Sequence, residues 1–152
     1  MPRALTAALL ALALSSTALA TYIPKQPIHI NKGSGDVKYT ITGNNTLGQV
    51  NVNISDKGAF QGFRAQGKNA DRDVNIDVSS AGLGAGWLIK GKIGPDEVNI
   101  TCKEDGPFAK HWIVKGKLGD RMIEDVKVDA EWEFDPAAQA IFVLFDCCDE
   151  KK

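Results

Sequence analysis

The chain has 152 residues, 43% apolar and 24% charged, with 18 lysines and arginines against 19 aspartates and glutamates. This is the composition of one globular domain and not of a disordered chain. A net charge of −1 gives no overall positive field for a nucleic-acid backbone or an anionic membrane, and two histidines and three cysteines are little material for a metal centre or a histidine-based active site, so no cofactor and no metal are expected.

Met1-Pro2-Arg3 leads into an apolar stretch from Ala4 to Leu14, then Ser15, Ser16 and Thr17, then Ala18-Leu19-Ala20 before Thr21. The stretch is too short to cross about 30 Å of hydrocarbon as a helix, and small residues at 18 and 20 suit signal peptidase. Residues 1–20 therefore read as a secretory signal peptide and 21–152 as a single secreted β domain, extracellular in location. The exported compartment is oxidising, so Cys102 is expected to form a disulfide with Cys147 or Cys148. One thiol is then left over, which leaves a disulfide-linked homodimer open as an assembly.

The segment Ile28–Lys38 resembles the opening of aegerolysins, small β-sandwich proteins that recognise membrane lipids. The resemblance spans 11 residues, and the Asp-Cys-Pro-Trp segment of that family has no counterpart here. It implies lipid recognition as a minor expectation and does not assign the chain to the family.

From Tyr39 onward the chain repeats itself. Tyr39–Gly43, Phe63–Gly67, Trp87–Gly91 and Trp112–Gly116 stack on their glycines, which fall 24, 24 and 25 residues apart. Each is followed by a polar turn and an alternating segment: Val50–Ile54, Val74–Val78, Val98–Cys102 and Val126–Ala130. Such a unit predicts a β-hairpin that cannot bury its own apolar face, so four in series predict an antiparallel up-and-down meander of about eight strands. Flanking strands over Gln26–Asn31 and Ala140–Asp146 bring the total to about ten, and Asp135–Ala140 predicts one short helical turn with Asp135 as cap and Pro136 in first position. A glycine column marks the bend of a curling sheet, so the fold class is all-β and closed as a barrel, with a β-sandwich as the alternative.

Alternation puts Tyr39, Ile41, Phe63, Ala65, Trp87, Ile89, Trp112 and Val114 on the core face with Val50, Val52, Val74, Ile76, Val98, Ile100, Val126 and Val128. The other face is polar except where Trp87-Leu88-Ile89, Trp112-Ile113-Val114 and Ile141–Phe145 are apolar on both sides. Something is expected to cover Leu88, Ile113, Phe142 and Leu144. Leu88 and Ile113, with Arg64, Lys90 and Lys115, are the candidate interaction surface.

Chemistry-bearing motifs are sparse. Gly82–Gly86 opens a strand and not the helix that a phosphate loop needs. His29 and His111 lie in separate strands, Asp71–Asp73 is too short for a calcium loop, and the carboxylates Asp77, Asp125, Asp129, Glu131 and Glu133 make a hydrolytic pair only if folding brings two of them to about 5 Å. Asn44, Asn53 and Asn99 each open an Asn-x-Ser/Thr glycosylation triplet. The expectation is a secreted, non-enzymatic binding protein for an extracellular partner or a small ligand, one that the glycine-thinned interior would accommodate. A membrane- or lipid-directed toxin-like protein is the alternative, and a small secreted hydrolase the third reading.

Overall fold

The alternating segments form nine strands in a computed structural model that describes residues 24–58, 61–82, 85–106, 111–129 and 134–147. They are β1 (Ile28–Lys32), β2 (Val37–Asn45), β3 (Gly48–Asp56), β4 (Phe63–Asn69), β5 (Arg72–Ser80), β6 (Trp87–Ile93), β7 (Asp96–Glu104), β8 (His111–Leu118) and β9 (Arg121–Asp129). Their order in the single sheet is their order in the chain, and every neighbouring pair is antiparallel. The fold is therefore the up-and-down meander of hairpins that the repeat predicts.

The glycine column bends it. Gly67, Gly91 and Gly116 have φ of 156°, 156° and 146°. A Cβ on them would lie 2.1, 2.2 and 2.3 Å from the carbonyl oxygens of Asn51, Asn75 and Asn99. Only glycine lets neighbouring backbones close up in this way. In register, Gly67 lies between Val52 and Val74 while Gly91 lies between Ile76 and Val98, so each hairpin steps along the last and the strands tilt around the curve. The result is a half-barrel whose first and last strands remain edges, with no second sheet against it among the described residues.

The helix α1 (Pro136–Cys147) lies against the concave side. This corrects one expectation, because Ala140–Asp146 is the body of a helix and not a strand, while the nine described strands fall within the eight to ten expected. Ala137, Ala138 and the run Ala140–Phe145 are all buried, at 3% exposure or less. A helix buried all round has no polar face, so its sequence carries no 3.6-residue period, and Ile-Phe-Val-Leu-Phe looks like a core strand. The starting signals were sound, because Asp135 and Pro136 do stand at its entrance. Phe142 and Leu144 are covered because they are in this helix.

The expected core face is otherwise buried as assigned, from Ile41, Val52, Ile54, Ile76 and Ile89 to Val114 and Val128, with Trp87, Trp112 and Val126 packed at its margin. Polar side chains buried with it are paired. Asn45 and Asn69, equivalent positions 24 residues apart, exchange hydrogen bonds at 3.1 and 3.2 Å, and Asn45 Nδ2 also donates to the Phe145 carbonyl at 3.0 Å. At the entrance of α1, the Tyr39 hydroxyl donates to Asp135 at 3.2 Å, and Lys38 pairs with the same carboxylate at 3.3 Å.

Candidate functional site: the outward face of the sheet

Because side chains alternate across a strand, the same sequence that builds the core writes a second pattern on the convex face. On β3, β4 and β5 the outward charges are Arg64, Lys68, Asp73 and Asp77, and they neutralise one another. Lys68 meets Asp73 at 2.7 Å, and Arg64 meets Asp77 at 3.4 Å. Lys57 approaches Asp77 at 2.7 Å, and this hydrogen bond above all holds the Asp77 carboxyl below its ordinary range.

The next three strands differ. Outward from β6, β7 and β8 stand Lys90, Lys92, Lys103, Lys115 and Lys117, all exposed, against the single acid Glu97. None of these lysines makes an ion pair among the described residues. The register sets them in two rails, with Lys90 and Lys92 on β6 and Lys115 and Lys117 on β8, flanking β7. Asn99 lies between Lys90 and Lys117; Thr101 lies between Leu88 and Lys115; Ile113 faces Lys103. Two strand spacings separate the rails, about 10 Å.

Of the expected interaction surface, the fold brings Leu88, Lys90, Ile113 and Lys115 together, with both apolar side chains half-buried. Arg64 stands apart on β4, paired with Asp77. Lys92, Lys103 and Lys117 were missed, although the Lys-Gly-Lys at 90–92 and at 115–117 is two residues per step and so shares one face. Shallow outward grooves lie over the glycine column. One of about 450 Å³ is lined by Asn51, Asn53, Gly67 and Lys68, and one of about 480 Å³ by Asn75, Asp77, Lys90 and Lys92. On the concave side, where a small apolar ligand was expected to find room, lies α1.

The candidate catalytic groups are dispersed. Asp77 on β5 and Asp125 on β9 are four strands apart, about 19 Å, and Asp125 and Asp129 are about 13 Å apart along one strand, so none of these makes a pair at about 5 Å. Glu131 and Glu133 lie outside the described residues. His29 is on β1 and His111 opens β8, while Asp71 lies in the β4–β5 turn and Arg72 and Asp73 begin β5. Asn44, Asn53 and Asn99 are all exposed.

Cys102 is buried and has no disulfide partner among the described residues, its Sγ lies 3.6 Å from the Pro136 carbonyl, and burial pushes its pKa up to about 12. Cys147 ends α1; its side chain and Cys148 lie outside what is described, and with them the expected disulfide. No described helix is long and apolar enough to cross a membrane. No protein-family model, curated protein or solved structure matches this chain.

Proposed function

We propose that this chain is a secreted, non-enzymatic binding protein that meets an extracellular partner through the outward face of β6–β8. The observation that carries this reading is that the outward charges of β3–β5 neutralise one another while β6–β8 present five lysines and one acid, with Asp77 of β5 opposite Lys90 at one margin and Glu124 of β9 at the other. Like charges held side by side without partners repel, and a binding partner of opposite charge relieves that cost. N-glycans on Asn44 and Asn53, away from these strands, are compatible with such a role.

Lysine acetylation read by mass spectrometry, with and without the material into which the source secretes the protein, tests the reading. Lys90, Lys92, Lys103, Lys115 and Lys117 are expected to be protected and Lys68 to stay reactive. Uniform reactivity overturns it. The lipid-directed reading draws on Leu88 and Ile113 among those lysines; release of dye from anionic vesicles would support it.

A further inference from the structure

Resting on that reading, we infer that the outward strip along β7 binds an extended acidic polysaccharide. The rails of Lys90 and Lys92 on one side and Lys115 and Lys117 on the other would meet its carboxylates or sulfates. Between the rails stand Asn99 and Thr101, a carboxamide and a hydroxyl, which are the groups that exchange hydrogen bonds with sugar hydroxyls. Lysines are point charges without arginine's fixed fork, and they suit a polymer whose charges recur along its length better than a single anion. Glu97 stands opposite Lys92 at one end of the strip, so the polysaccharide would run from Asn99 towards Lys103.

Other occupants fit less well. Strand β7 has hydrogen-bonded neighbours on both sides, β6 and β8, so its backbone is not free to take an acidic peptide as an added strand. No Phe, Tyr or Trp stands outward on β6, β7 or β8 to stack a base, and His111 at the start of β8 is the one aromatic ring in that alternation. Leu88 and Ile113 are half-buried within paired strands and do not project as a membrane wedge would.

Asn99 gives the inference an internal check. It opens one of the glycosylation triplets, and a glycan there would stand between Lys90 and Lys117, so the inference requires Asn99 to be unmodified.

The experiment uses the secreted protein and measures binding to polygalacturonate, to dextran sulfate and to neutral dextran over a range of salt. Polyglutamate and phosphatidylserine vesicles serve as the competing classes. Binding to either acidic polysaccharide and not to neutral dextran is expected. The two acidic probes separate a carboxylate ligand from a sulfate one. The K90Q/K117Q pair should weaken binding about tenfold and flatten its salt dependence by about two charges. The R64Q/K68Q pair removes the same charge from the neutral half and should change it less than about twofold.

Equal losses in the two pairs, tighter binding to vesicles or polyglutamate, or a glycan found on Asn99 each overturn the inference. If neither polysaccharide binds while the five lysines are still protected by the source's own material, the partner class is wrong and the binding face stands. If that protection is absent as well, both fail.

Discussion

The carboxamide of Gln139 completes the backbone ladder of Asp129: its Nε2 donates to the Asp129 carbonyl at 2.8 Å, and its Oε1 accepts from the Asp129 amide at 3.1 Å. One side chain of α1 thus does for the end of edge strand β9 what a tenth strand would do. The same Nε2 donates to the Phe134 carbonyl at 2.9 Å. The side chain is 1% exposed, so removing it strands three polar groups away from water. Gln139→Leu should cost about 3 kcal/mol in urea unfolding. Gln139→Glu keeps the acceptor but loses the donor and should cost a similar amount.

Asp146 ties the other end of α1 to the start of the described chain. Its carboxylate accepts from the Lys25 amide at 2.8 and 2.9 Å and from the Gln26 amide at 2.7 Å. Charge-assisted bonds to a buried carboxylate are the strong kind. Asp146→Ala should lower stability by about 2–3 kcal/mol and speed hydrogen exchange at Lys25 and Gln26, with exchange in β4 and β5 little changed.

Ala70 has φ of 59° in the two-residue turn between β4 and β5, where the equivalent positions in the next two hairpins are Gly94 and Gly119 with φ of 60° and 61°. A left-handed alanine is strained and a glycine there is not. Ala70→Gly should therefore raise stability by about 1 kcal/mol, read as a higher denaturation midpoint with an unchanged slope.

Substitution within the glycine column should act in the opposite direction. A methyl at residue 91 would sit 2.2 Å from the Asn75 carbonyl oxygen, and neither backbone can move without its ladder. Gly91→Ala should cost about 3 kcal/mol or more, whereas Gly106→Ala, where a Cβ meets nothing within 4 Å, should cost only the smaller penalty of its positive φ.

The Cys102 thiol gives an alkaline prediction. Its pKa is raised from 9.0 to about 12 because burial disfavours the thiolate. A group raised in the folded state contributes its stability in full below its unfolded pKa, so that contribution is present below about pH 9 and is lost as pH climbs from 9 towards 12. Cys102→Ala should show a shallower loss of stability over that window. The native thiol should also resist iodoacetamide at neutral pH and react once the chain is unfolded.

Much of this fold was legible because strand periodicity and repeat spacing reinforce each other. Ile123 follows Gly116 by seven residues, as Val50 follows Gly43, Val74 follows Gly67 and Val98 follows Gly91, so the fourth hairpin keeps the pattern. Strict alternation in the fourth hairpin begins only at Val126 because Asp125, at φ of 47°, is inserted as a bulge. The Ile141–Phe145 run misled because complete burial erases the period that separates helix from strand. The lysine face was half seen, because a net charge of −1 averages one neutral sheet half with one basic half and the acids elsewhere.

The position of α1 in the chain also orders assembly. The contacts that fill the concave face join residues about as far apart as the fold allows: Asn45 reaches Phe145 across 100 positions, and Lys25 reaches Asp146 across 121. No fragment ending before Pro136 contains a complete core, however many hairpins it has formed. A ribosome emitting the chain from its N-terminus would release these nine strands with one greasy side uncovered, and only the helix that follows them would convert that ribbon into a folded protein.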